Sequence, residues 1–195
     1  SDSDSAALLD RSAELAGDWP FMWLSCGSPE VYKFVRTRKK HRLPPEVPRG
    51  RLVLLRHGEI VRPTWTSNFD RAPLSERGQQ QIAALAAAWP VDPPEAILSS
   101  PLRRSYESAL ILSEHFHRPI TKRPCLKEWS PDESGLPQPE YMALEHRAWA
   151  DVDYVPPRRE SLAVAAERGR ACLEAIGDAH EGRTVAVSGH GTLFS

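Results

Sequence analysis

The sequence predicts an α/β fold in which a mainly parallel sheet carries helices on both faces. Two observations predict it. First, short apolar, β-branched runs stop abruptly at glycine or small polar residues. Leu52-Val53-Leu54-Leu55 runs into Arg56-His57-Gly58, and Thr184-Val185-Ala186-Val187 runs into Ser188-Gly189. Strands buried on both faces of a parallel sheet read as continuous apolar runs rather than as alternations. Second, the segments between these runs repeat apolar residues at three- and four-residue intervals. Strand–helix alternation of this kind winds into a covered parallel sheet.

The elements follow in order. Residues 1–50 read as an N-terminal extension and residues 51–195 as the folded domain. The extension holds a Ser/Asp-rich start, a weak helical pattern (Leu8, Leu9, Leu15), a basic stretch from Lys33 to Arg42 that reads as a solvated linker, and a proline-rich lead-in at Pro44, Pro45 and Pro48. A first strand is expected at 51–55, then a polar loop at 59–72. Ser75 caps a helix reaching about Trp89, with Ile82, Leu85, Ala86 and Trp89 inward. Val91-Asp92-Pro93-Pro94 stops it, and a short strand follows at 96–98. Ser100 reads as the N-cap and Pro101 as the first residue of a second helix to about 116, with Tyr106, Ala109, Leu110, Ser113 and Phe116 inward. A strand at 119–126 precedes an irregular stretch at 129–139. A helix near 139–149 carries Tyr141, Leu144 and Trp149. The longest helix spans about 160–179, with Leu162, Ala165, Ala166, Cys172, Leu173 and Ile176 on one side, and a last strand covers 184–188.

The bulk numbers narrow the function. A net charge of −1 provides no general attraction for nucleic acid or a membrane surface. No apolar stretch approaches the roughly 20 residues of a membrane span; Trp19-Pro20-Phe21-Met22-Trp23-Leu24 is far too short. The acidic start lacks a signal peptide's positive region, and Asp10 and Glu14 argue against a transit peptide, so a cytoplasmic location is expected. Cys26, Cys125 and Cys172 are odd in number and show no metal spacing; they read as idle thiols in a reducing compartment.

The chemistry lies at the strand ends. Three strands each deliver a cation or an imidazole from the C-terminal end: Arg56 and His57, then Arg103 and Arg104, then His190. That edge of an open α/β sheet is where ligands bind. A guanidinium is always charged and grips phosphate as a bidentate fork, and a neutral imidazole nitrogen is a competent nucleophile. Together they suggest one anion pocket.

The L-R-H-G-E run at Leu55 to Glu59, the P-L-S-E-R-G run at Pro73 to Gly78, the S-S-P-L-R-R run at Ser99 to Arg104 and the late S-G-H-G at Ser188 to Gly191 resemble the histidine phosphatase superfamily over roughly residues 51–195. The resemblance implies a phosphoglycerate-mutase-like three-layer α/β/α sandwich and a covalent phosphohistidine. It makes His57 the nucleophile. Arg56 and Arg104 hold the non-bridging oxygens, Arg104 being the arginine two residues after the leucine of S-x-L-x-R. His190 is the third oxygen ligand, best when protonated. The acid is the glutamate of an L-x-E run, here Leu126-Lys127-Glu128, with Asp132 and Glu133 as neighbouring candidates; Glu59 positions its loop. No metal and no cofactor is required, and the partner is a phosphorylated small molecule.

The pattern also departs from the family. Ile60 follows Glu59 where the mutases carry serine or threonine, and residues 61–68 lack their W-N pair, which favours hydrolysis over phosphoglycerate-mutase-type transfer. Arg158-Arg159-Glu160-Ser161 replaces G-G-E-S, and these arginines or Arg62 are candidates to contact the rest of the substrate. Family members continue well beyond the late histidine, so a C-terminal part is expected to be missing here. That keeps a non-catalytic phosphate-binding or scaffold protein as the rival from another class. The reading favoured by the residues is a metal-independent phosphomonoesterase.

Overall fold

The computed structural model describes residues 50–195 and two earlier strands, β1 (Phe21–Leu24) and β2 (Tyr32–Phe34). The further elements are β3 (Arg51–Arg56), α1 (Glu76–Ala87), β4 (Ala96–Ser99), α2 (Arg103–Phe116), β5 (Ile120–Lys122), a 3-10 turn at Pro124–Leu126, α3 (Gln138–Ala150), α4 (Leu162–Ala179) and β6 (Thr184–Gly189). The sheet order is β2-β1-β3-β6-β4-β5. All neighbours are parallel except β1 and β2. The Leu8, Leu9, Leu15 pattern and the proline-rich lead-in lie outside the described residues, as does the basic stretch beyond Phe34.

The middle residues of the central strands are apolar because their side chains meet a helical layer on either face. Val53, Leu55, Ile97 and Ala186 face Ile82 and Ala86 of α1 and Ala109 and Leu112 of α2. Leu52, Leu54, Leu98, Val185 and Val187 face Cys172 and Ile176 of α4. A smaller cluster joins Trp129, Ala148 of α3, and Leu162 and Ala165 of α4. Alternate residues of one strand thus serve two cores, and the three-layer sandwich follows.

Several expectations are corrected. The apolar run at Phe21–Leu24, weighed above only as a membrane span, pairs in parallel with β3, from Phe21↔Leu52 to Leu24↔Leu55, and so extends the sheet into the first 50 residues. Lys33 of the basic stretch lies in β2. Helix α2 begins at Arg103 after Leu102, not at Pro101. Its buried stripe is Arg104, Ser105, Ser108, Ala109 and Leu112, and Leu110 is exposed. The stripe is rotated because Ser105 and Ser108 are buried with their hydroxyls satisfied: Ser105 donates to the Ser188 carbonyl at 2.8 Å and Ser108 to the Arg104 carbonyl at 2.9 Å. The expected strand at 119–126 is only three residues long and passes through Pro124 into the 3-10 turn. On α3 the buried residue is Ala148, while Trp149 is exposed; on α4 Gly169 replaces Ala166 in the buried face.

The idle-thiol reading is also corrected for two of the three cysteines. Cys125, in the 3-10 turn, and Cys172, on α4, form a disulfide across a Cα separation of 5.8 Å. Both lie in or against the same apolar cluster, which the sequence spacing of 47 residues conceals. Cys26 lies outside the described residues.

Candidate active site

β3, β4 and β6 are adjacent in the sheet and point the same way, so the segments leaving their C-terminal ends converge. A cleft of about 520 Å³ opens there, lined among others by Arg56, His57, Arg104, Glu128 and Tyr141. His57 follows the last residue of β3, and its amide continues the ladder by donating to the Gly189 carbonyl at 3.2 Å. The loop beyond is held against α1 and α2. The Gly58 amide donates to Ser108 Oγ at 3.2 Å, the Glu59 amide to Gln81 Oε1 at 2.9 Å, and the Ser75 hydroxyl to Glu59 Oε1 at 2.9 Å. Glu59 therefore ties the loop down. Ser75 also caps α1, accepting from the Gly78 amide at 3.0 Å.

The hydrogen bonds of His57 assign its proton. Nδ1 lies 2.8 Å from the Gly58 carbonyl, which can only accept, so Nδ1 carries the hydrogen. Nε2 then presents a lone pair, and Arg104 Nε donates to it at 3.1 Å. Burial pushes the His57 pKa down to about 3, with further lowering by Arg104 and Arg56 against the opposing Gly58 hydrogen bond. The ring is neutral, with its lone pair towards the cleft's cations. Arg104 is itself buried and donates through Nη1 to the Phe69 carbonyl at 2.7 Å, whereas Arg103 faces solvent and pairs with Glu107. Burial lowers the Arg104 pKa, opposed by Glu128 and Asp70. Arg56 lies alongside Gly191: a Cβ there would stand 3.5 Å from its Nε.

His190 is fully enclosed and does not line the cleft. Its ring meets that of His57 edge-on, with centroids 5.4 Å apart, and Nε2 is 2.7 Å from Ser100 Oγ. Burial first, then the charges of Arg104, His57 and Arg56, drive its pKa well below the usual value, which favours the neutral ring.

Glu128 comes from the turn after β5 and lines the cleft. Its carboxyl oxygens accept from the Trp129 amide at 3.0 Å, the Leu193 amide at 3.0 Å and the Thr192 amide at 3.3 Å. Burial nevertheless raises its pKa, opposed by Arg104 and these amides. The two neighbouring candidates are engaged elsewhere. Asp132 accepts from the Ser134 hydroxyl and the Gly135 and Leu136 amides, which hold its pKa down despite partial burial. Glu133 pairs with Lys127 and Arg159, with the same effect. Arg159, considered above for substrate contact, pairs with Glu133 and does not itself line the cleft, while Arg62 does. Sequence reasoning missed Ser100, Ser108 and Tyr141 as parts of this site; Ser100 carried a signal, but as a helix cap. Among the described residues no three His, Cys, Asp or Glu side chains group as metal ligands.

Known proteins share this architecture. The family model of the histidine phosphatase superfamily, branch 1, matches residues 52–195. A Bacillus subtilis (strain 168) protein named as the uncharacterized phosphatase PhoE is 28% identical over 150 residues, 72% of each chain. A mycobacterial glucosyl-3-phosphoglycerate phosphatase superposes with a TM-score of 0.61 at 27% identity, covering 72% of this chain and 73% of that one. Bacillus stearothermophilus YhfR also superposes at 0.61, with 26% identity and coverage of 73% and 74%. The strand-end histidines and arginines, the parallel sheet and the length of the matched region lead to one conclusion: this chain belongs to the histidine phosphatase superfamily.

Proposed function

We propose that the protein is a phosphatase that hydrolyses the phosphate monoester of a small molecule, without a metal, through a phosphohistidine on His57. One observation carries the reading: a neutral imidazole whose unprotonated Nε2 faces the guanidinium of Arg104 in an open cleft. The cleft's volume suits a small molecule. Phosphatase names among the relatives support the same class.

In this mechanism Arg104 releases Nε2 and, with Arg56, takes the non-bridging oxygens, so the incoming dianion exchanges places with a hydrogen bond. The Nε2–phosphorus bond forms as the ester phosphorus–oxygen bond breaks. Glu128, whose raised pKa favours its protonated form, transfers that proton to the departing alkoxide. Throughout, the Gly58 carbonyl holds the Nδ1 proton and offsets the charge that builds on the ring. Glu128 then takes a proton from water, the water oxygen attacks phosphorus, and the phosphorus–nitrogen bond breaks to return the imidazole and free phosphate. The nucleophile is tested by rapid quenching without acid, which should trap phosphate on His57, and by His57→Ala, which should abolish turnover. Wild-type rates in the alanine variant would overturn the proposal.

A further inference from the structure

His190 is held asymmetrically. Nε2 faces the Ser100 hydroxyl at 2.7 Å, while Nδ1 is buried and has no hydrogen-bond partner among the described residues. Ser100 is also fully buried, and its Oγ accepts the Leu102 amide proton at 3.3 Å.

These facts select a tautomer by counting satisfied groups. If Nε2 carried the proton and donated to Ser100, two groups would be stranded: the serine O–H with no acceptor, and the Nδ1 lone pair with no donor. If Ser100 instead donates to Nε2, the serine is fully satisfied and one group is stranded, the Nδ1–H. The imidazolium would strand two donors and place a further charge beside Arg104 and Arg56. Buried polar groups left without partners are costly, so the second arrangement wins.

We infer that Ser100 is a positioning residue: its hydroxyl donates to His190 Nε2, keeps the ring proton on Nδ1, and maintains the ring packed against His57 as a neutral N–H donor. The inference rests on the proposed phosphohistidine reading for its catalytic meaning: with the two rings in contact, a phosphoryl group on His57 would offer the Nδ1–H an acceptor. The Leu102 amide, in the turn before α2, supports the device by occupying the serine's acceptor site. Ser100 thus passes a choice made in the turn between β4 and α2 to a ring that follows β6.

The test is nitrogen-15 NMR of histidine-labelled, unliganded wild-type protein near neutral pH, with the His190 signals assigned by their loss in His190→Asn. The expected spectrum has His190 neutral, with Nδ1 protonated and Nε2 accepting. An Nε2-protonated ring or an imidazolium would overturn the inference. This measurement needs no substitution at Ser100 and no turnover, so it stands apart from the fate of the phosphohistidine proposal, which the His57 trapping experiment decides. Ser100→Ala should mix the two tautomers and lower kcat/KM about tenfold, the scale of one neutral hydrogen bond. Ser100→Thr, which keeps the hydroxyl, should return the wild-type tautomer. A single, unchanged tautomer in Ser100→Ala would also refute the role.

Discussion

Gly78→Ala reverses the sign that helix propensity predicts. Gly78 is the third residue of α1, and alanine in place of a helical glycine ordinarily stabilises by about 1 kcal/mol. Here the new Cβ would lie 2.0 Å from the Glu59 carbonyl oxygen and 2.8 Å from its nitrogen. Carbon and oxygen approach to about 3.3 Å even in favourable contacts, so the overlap exceeds an ångström. Neither obstacle is a flexible side chain. The Glu59 carbonyl accepts the Ser75 amide at 2.9 Å, and its amide is held by Gln81. Helix and loop must therefore part. Overpacking costs about 1–3 kcal/mol, and the upper end applies because backbone meets backbone. Less the propensity gain, the net loss is about 2 kcal/mol, or about 4–8 °C in Tm for a chain of this size. The displaced loop carries His57, and a 1 Å misplacement of a reacting group costs about 10²-fold in rate. Thermal denaturation and steady-state hydrolysis of an aryl phosphate would measure both effects. A Tm above that of the wild type would show that propensity prevails and that the loop yields freely, refuting the packing argument.

Glu128→Gln should slow an alkyl phosphate by about 10²–10⁴-fold, the usual worth of a positioned acid, and a nitrophenyl phosphate much less, because that phenolate leaves unprotonated; equal slowing of both substrates would remove the role from Glu128. In the wild type, activity should fall on the basic side as pH rises through the raised Glu128 pKa and the acid loses its proton, a limb that pH–rate profiles of the alkyl substrate would show and Glu128→Gln would lack. The free protein should keep His57 neutral until the pH approaches about 3, as read by its ring signals in an NMR titration. The folded pKa lies below the unfolded one, so this group's stabilisation is complete above pH 6.5 and is lost as pH falls from there towards 3, because the unfolded chain takes the proton first. Substituting Cys125 and Cys172 by serine opens a loop set by their separation of 47 residues, and the chain-entropy relation assigns that closure about 4 kcal/mol. Urea unfolding of the non-reduced protein against the double variant measures it, and free-thiol labelling of both cysteines in the native protein would contradict the bond.

What the sequence made legible was local. The ends of β3 and β6 could be placed because an apolar run and a glycine lie side by side in the chain, and His57 and His190 sit in those few residues. Glu128 was accessible through a three-residue pattern, but the Thr192 and Leu193 amides that hold it come from a distant stretch that no spacing rule connects. The face of α2 was misjudged because apolar periodicity ignores buried serines, and their partners are distant in the chain: Ser105 bonds Ser188 of β6, and Ser108 accepts from the Gly58 amide. Phe21–Leu24 escaped notice as a strand because four apolar residues without flanking pattern say little until a neighbouring edge is known. The disulfide failed for a similar reason: pairing depends on two elements meeting, and an odd cysteine count hid it.

The position of β6 sets an order for the protein's assembly. It comes after the other described strands in chain order, yet it occupies the slot between β3 and β4, bonded to both. During synthesis the first two site-bearing strands leave the ribosome long before the strand that joins them. Until Thr184–Gly189 arrives, each offers a bare edge of unpaired backbone, and such edges recruit wrong partners. Arg104 and His57 can be made early, but the wedge that brings them within 3.1 Å of each other arrives late. The facing edges of β3 and β4 are therefore open to mispairing until β6 is made, and the cleft at their ends can close only after it.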